Sequence, residues 1–230
     1  MRPERRVAKL GSLGQLAHFM NEPPSQSPTR KTLAILGSVG AIVVILIAAA
    51  IGRQGAKALF NRDSSSVAPA HFTEAQWGRR TLQDISLHAP FDFDVGPDVI
   101  ARIPQAARDA IEYFEMYQNR GGGTFVVTIS RIAYKPHVEV SLDGSVRGAM
   151  TQAAAAAGDS DPQHSSSTTT ISGLEARRAS YQGKVSGRAM QIEAAFVRRG
   201  QKLWQVQVVF LSPSSAGDAS RILESIAITP

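Results

Sequence analysis

Two short segments carry the side chains best suited to metal or acid–base chemistry. The first, FDFDVGPD, supplies Asp92, Asp94 and Asp98. A hard cation such as calcium takes several carboxylate oxygens from one flexible segment, so this grouping is a candidate calcium loop. Asp92 and Asp94 alternate, which on a strand puts them on one face with Phe91 and Phe93 on the other. No Glu closes the loop and the spacing departs from the EF-hand pattern, so an ordinary half-buried strand competes with the calcium reading. The second segment, GDSDPQH, holds Asp159, Asp161 and His164, a mixed oxygen and nitrogen donor set. The same residues also suit a turn after a helix, where Asp bonds the local backbone. The histidines stand at 18, 71, 88, 137 and 164, with no two at helical metal-binding spacing, so no zinc motif is present. These six residues are weak metal candidates; no catalytic or cofactor-binding residue is assigned, and no cofactor is expected.

Nucleophilic chemistry finds less support. The chain has no cysteine, no G-x-S-x-G elbow, and no Ser-x-x-Lys in a suitable setting. Gly121, Gly122 and Gly123 follow a predicted helix and precede a strand. A phosphate cradle needs glycines leading into a helix N-terminus, so the triplet reads as a connector. Arg177, Arg178, Arg198 and Arg199 lie on neighbouring predicted strands; they form either a patch for an anionic partner or an ordinary solvated sheet face.

The elements that must position these residues begin near Trp77. A strand is expected over Arg80 to Leu87, then a short extended piece through Phe91, Phe93 and Val95. Pro104 suits a first helical turn, and Ala107, Ala110, Ile111, Phe114 and Tyr117 repeat with helical spacing, predicting a helix that stops at the glycine triplet. TFVVTISRIA, Thr124 to Ala133, is β-branched and apolar on both faces, so it reads as a central strand. Ser141 to Ala157 returns to helical spacing through Leu142, Val146, Ala149, Met150 and Ala153, and Gly158 ends it. GDSDPQHSSS reads as a loop. Strands are then expected over Thr168 to Ile171, Glu175 to Tyr181, Arg188 to Arg198 and Lys202 to Leu211, with a hairpin turn at Arg199-Gly200. On the last of these, Trp204, Val206, Val208 and Phe210 share what reads as the core face. Ser214 is the expected N-cap of a closing helix carrying Ala219, Ile222, Leu223 and Ile226. Strands joined by short turns, with helices packed on them, make this an α+β fold with a mostly antiparallel sheet.

Ahead of that domain, Thr32 to Ile51 is free of charge from Lys31 to Arg53. Twenty residues at about 1.5 Å each span about 30 Å, the thickness of a bilayer's hydrocarbon core. The expected organisation is a basic tail (1–31), a transmembrane helix (32–52), a linker (53–76) and an exported domain (77–230). Six cationic residues precede the span and three follow it before Ser64, which places the N-terminus in the cytoplasm. A cleaved signal peptide competes, with Ala48 to Ala50 as a cleavage region, but its n-region and apolar run would both be long. Gly37 and Ala41 offer small-residue spacing for a possible homodimer through the transmembrane helix. From Ser64 to Pro230 cations and carboxylates number 16 each, so the net charge of +6 is concentrated beside the span. That distribution argues against nucleic acid, which wants a basic stripe on the folded domain. Arg outnumbers Lys 19 to 6, pointing to a bacterium with GC-rich coding.

The early helix, the longer helix before a run of strands, and the closing WQVQVVFLSPSSAGDASRILESIAI together resemble the PsbP-like fold, from about Trp77 to Pro230. The resemblance implies an α/β/α sandwich and a non-enzymatic binding or assembly module. The expectation is therefore a single-pass bacterial membrane protein with an extracytoplasmic domain that binds an envelope protein or cell-wall partner. The alternative is a metal-dependent enzyme or sensor working through the Asp and His loops. The two part on whether Asp92, Asp94, Asp159 and His164 converge in one cleft.

Overall fold

The computed structural model describes residues 72–96, 100, 105–119, 124–159, 163–185 and 188–229. The expected tail, the expected span Thr32 to Ile51, and the linker as far as residue 71 lie outside them. Among the described residues no helix is long and apolar enough to cross a membrane.

The described chain forms strands β1 (Gly78–Leu82), β2 (Ile85–Ala89), β3 (Phe93–Val95), β4 (Ile111–Asn119), β5 (Phe125–Tyr134), β6 (His164–Ile171), β7 (Leu174–Val185), β8 (Arg188–Arg199), β9 (Lys202–Phe210) and β10 (Ala227–Ile228). Its helices are α1 (Gln105–Arg108), α2 (Leu142–Ala157) and α3 (Ala216–Glu224), with 3-10 turns at Glu74–Gln76 and Pro213–Ser215. Seven strands build one sheet in the order β3-β4-β5-β9-β8-β7-β6, and β1-β2-β10 form a second, smaller one. Every pairing is antiparallel. The class is therefore α+β, as the short turns and alternating strands require.

The large sheet is covered on both faces. Leu142, Val146, Ala149, Met150 and Ala153 of α2 pack onto one face against Tyr181, Ile192, Phe196 and Leu203. Ala219, Ile222 and Leu223 of α3, with Ile85, Leu87 and Ile228 of the small sheet, cover the other against Phe125, Trp204, Val206 and Phe210. Two-sided burial changes the reading of β9: its Trp face is core, and so is its opposite face. Leu203, Gln205 and Gln207 on that opposite face are all under 3% exposed.

Helix α2 follows its sequence signals closely. Ser141 Oγ accepts from the Gly144 N–H at 3.0 Å, and Gly158 closes the helix in the left-handed region at φ 73°.

Four other expectations are corrected. Helical structure after Pro104 lasts only from Gln105 to Arg108, and Ile111 to Asn119 is a strand. Ile111, Tyr113, Phe114 and Tyr117 are β-formers by side-chain shape, and β5 and β3 offer them partners on both sides. The stretch Arg80 to Leu87 is a hairpin, not one strand, turning at Gln83 (φ 58°) and Asp84. Its turn is held by tertiary bonds: Asp84 Oδ1 accepts from Arg131 Nε at 2.7 Å and from Trp204 Nε1 at 2.9 Å. The expected loop over GDSDPQHSSS gives way to strand at His164, because the hydroxyl run pairs residue for residue with β7. Ser214 sits in the 3-10 turn, and the residue at the N-cap of α3 is Ser215. The fold also takes in Phe72, packed edge-on to Trp77, Phe91 and Phe125.

Candidate functional site

Strands β6 and β7 reach beyond the cover of α3, leaving a groove on that face of the sheet. Alternation along β6 aims Ser165, Ser167 and Thr169 toward it, opposite Ser180, Arg178 and Ala176 of β7. Glu193 of β8 is paired with Ser180 in register, and Ser220, Leu223 and Glu224 of α3 form the far wall. The groove encloses about 430 Å³. Ser165 Oγ and Ser180 Oγ are 2.8 Å apart.

Two half-buried charges stand on its walls. Arg178 donates through Nη2 to the Leu223 carbonyl oxygen at 2.6 Å, near the C-terminal end of α3. Lys and Arg favour such positions because the last carbonyls lack helical partners and carry partial negative charge. Burial pulls the Arg178 pKa down, against the raising influence of Glu224 and Glu193. Burial pushes Glu193 up, opposed by a hydrogen bond from Ser220 and by Arg178. Arg178 and Glu193 thus share one groove and feel each other's field without forming an ion pair among the described residues. Perturbed titrating groups in a cleft mark a candidate site with a physical rationale.

The residues singled out from sequence fall elsewhere. Asp92 pairs with Arg80 at 3.2 Å on the surface, and Asp94 lies on β3 opposite Gln118. Asp159 accepts from Tyr181 Oη at 3.1 Å, and His164, exposed at the start of β6, is opposite Tyr181 in register. Asp98 and Asp161 lie outside the described residues. Strand β3 begins the seven-strand order and β6 ends it. At about 4.8 Å per strand the two groups are therefore roughly 29 Å apart across the sheet. Asp92 and Asp94 do not meet Asp159 and His164 in one cleft, and among the described residues no three His, Asp or Glu side chains gather as a metal would require.

The four arginines likewise do not form one patch. Arg177 and Arg198 face α2, bonding Asp143 (2.8 Å) and Glu175 (2.6 Å) respectively. Arg178 and Arg199 face the other way, with Arg199 donating to the Thr229 carbonyl oxygen at 2.7 Å and stacking on Trp204. Sequence reading missed Glu193. Its one signal was a carboxylate inside the otherwise apolar run IEAAF.

A second cavity of about 610 Å³ lies by Gly158, Asp159, Gly183 and Met190. A third, of about 270 Å³, adjoins Asp84, Tyr113, Arg131 and Trp204. In the third, Arg131 is tied to Asp84 and Glu115, while Tyr113 Oη accepts from Arg131 at 3.0 Å. Burial and the Glu115 carboxylate push the Tyr113 pKa up to about 12. Arg131 and Asp84 are thus paired with each other, which suits a structural brace.

No protein-family model and no curated protein matches the chain. Among solved structures it is similar to cyanobacterial PsbP (CyanoP) of Synechocystis sp. PCC 6803, at 9% identity over 73% of this chain and 96% of that one, with a TM-score of 0.46. It is also similar to LpqN, involved in cell envelope biogenesis of Mycobacterium tuberculosis, at 16% identity over 71% and 90%, TM-score 0.38. A Bacteroides thetaiotaomicron protein matches at 14% identity and TM-score 0.36; this chain spans 46% of its length with 64% of its own. A PsbP protein, of the fold that the sequence resembles, is therefore among the similar structures, at the low identity given.

Proposed function

We propose that this protein is a single-pass, membrane-anchored envelope protein whose extracytoplasmic domain binds a partner without performing catalysis. The observation that carries the binding role is the groove beside β6. It combines hydroxyls from two strands and a helix with one guanidinium and two carboxylates, in an open channel at the sheet edge. Such mixed donors and acceptors orient a ligand. The address rests on the uncharged run Thr32 to Ile51 and on the six-to-three excess of cations before it.

Because the chain contains no cysteine, single-cysteine variants test both halves. Intact cells carrying S12C, S167C or T168C are treated with a membrane-impermeant maleimide. The account expects S167C and T168C to label and S12C to stay protected. It also expects S167C, facing the groove, to label at least threefold more slowly in cells than in purified protein, whereas T168C on the opposite face keeps its rate. Labelling of S12C alone would overturn the orientation. Equal protection of both β6 positions would overturn the groove as the binding face.

A further inference from the structure

We infer that the groove takes a neutral polyhydroxylated chain, a glycan segment, laid along β6 with its hydroxyls shared between the strand's Ser and Thr side chains and the Arg178 and Glu193 walls. This rests on the reading of the groove as the binding face, and the chemistry of its lining selects the ligand class. Ser165, Ser167 and Thr169 repeat along one strand face about every 6.8 Å. Each hydroxyl both donates and accepts, the capability that sugar hydroxyls also have. Arg178 only donates and the Glu193 and Glu224 carboxylates only accept, so the two walls are complementary to a ligand offering both at each position.

Charge and shape narrow the class further. One guanidinium against two carboxylates leaves the lining net negative, and the nearby C-terminal end of α3 adds partial negative charge. Phosphorylated or otherwise acidic polymers are disfavoured on that account. Leu223 is the largest apolar residue among those lining the groove, and it is 3% exposed. An acyl chain or an aromatic ligand would find little surface to cover. A peptide lying on the same shelf would need side-chain pockets, and the lining offers hydroxyls instead. The half-buried charges also gain from a bridging ligand. Arg178 and Glu193 are both perturbed by burial, and hydroxyls inserted between them add hydrogen bonds to those that the Leu223 carbonyl and Ser220 already make.

The test titrates the full chain, held in a sugar-free zwitterionic detergent, with cellotetraose, maltotetraose and the tetramer of N-acetylglucosamine, followed by calorimetry. Saturable binding of at least one neutral tetrasaccharide is expected. S165A/S167A should weaken it tenfold or more, while S166A/T168A on the other face of β6 should leave it within twofold. E193Q, which keeps the shape and one acceptor, should weaken it by a smaller factor. All these positions are exposed or half-buried, and melting curves confirm that each variant folds. If no tetrasaccharide binds, or S165A/S167A leaves binding undiminished, the ligand class is overturned. If a lysine-containing tetrapeptide binds instead and is lost in S165A/S167A, the glycan is refuted while the groove stands as a binding face. Equal maleimide protection at residues 167 and 168 would refute the groove itself.

Discussion

The brace around Asp84 gives a sharp stability prediction. Asp84 Oδ1 accepts from both Arg131 Nε (2.7 Å) and Trp204 Nε1 (2.9 Å), tying the β1–β2 turn of the small sheet to β5 and β9 of the large one. Asp84→Ala leaves the indole N–H of Trp204, itself 1% exposed, without its partner, and leaves Arg131 with Glu115 alone as a carboxylate partner. Hydrogen bonds to charged groups contribute roughly 1.5–3 kcal/mol each, and an orphaned buried donor costs roughly 1–3 kcal/mol. Side-chain exposures of 24% for Asp84 and 14% for Arg131 place the pair between surface and core, so the larger sums are discounted for solvent screening. The expected loss is about 3 kcal/mol, or about 6–12 °C in Tm for a domain of this size. Urea unfolding read by fluorescence of Trp77 and Trp204 measures it, with Asp84→Asn as the milder companion because the amide oxygen still accepts from the indole. The effect is also pH-dependent. The bonds from Arg131 and Trp204 overcome burial and hold the Asp84 carboxyl below its ordinary range. Its contribution is therefore whole above about pH 4 and lost as pH falls through the depressed folded value. The wild type and Asp84→Ala should converge in stability under acid. A loss below about 1 kcal/mol at neutral pH, or a gap that does not narrow in acid, would refute the reasoning.

Three further outcomes follow from local geometry. A Cβ on Gly183 would lie 2.2 Å from Tyr181 Oη and 2.6 Å from its Cζ, against a ring 1% exposed, so Gly183→Ala should cost roughly 1–3 kcal/mol in chemical denaturation. Ser141→Ala removes the cap on Gly144 N and should cost about 1 kcal/mol; Ser141→Asp, which restores an acceptor, should recover most of it. Burial and the bond to Asp159 push Tyr181 up to about 12, above its unfolded value near 10. Its contribution is full below about pH 10 and is lost as pH rises through about 12, so Tyr181→Phe should flatten the alkaline limb of the stability profile.

Parts of this fold were legible where local and tertiary preferences agreed. Helix α2 announced its apolar stripe and its stop at Gly158, and the structure uses both. Strand β5 announced itself through β-branched content, and β8 and β9 through alternation at period two. The segment after Pro104 misled because Ala107, Ala110, Ile111, Phe114 and Tyr117 fit the helical period, while the neighbours that make β4 a strand lie elsewhere in the chain. Gln83-Asp84 carries no glycine, and its turn depends on Arg131 and Trp204, residues 47 and 120 positions away from Asp84. The groove was hidden for the same reason. It joins Ser167 to Arg178 by strand register and Arg178 to Leu223 across 45 residues. No short motif encodes those distances. The Asp and His clusters were visible because they are local, yet β3 and β6 occupy opposite ends of the strand order.

The central claim, that the hydroxyl-lined face of β6 receives a partner outside the membrane, is tested most directly by photocrosslinking in intact cells. A photoreactive amino acid is placed at position 167 or, as the opposite-face control, at position 168. The account predicts a discrete adduct from 167, weakened in E193Q, and none from 168. Adducts of equal yield from both positions, or from 168 alone, would contradict it.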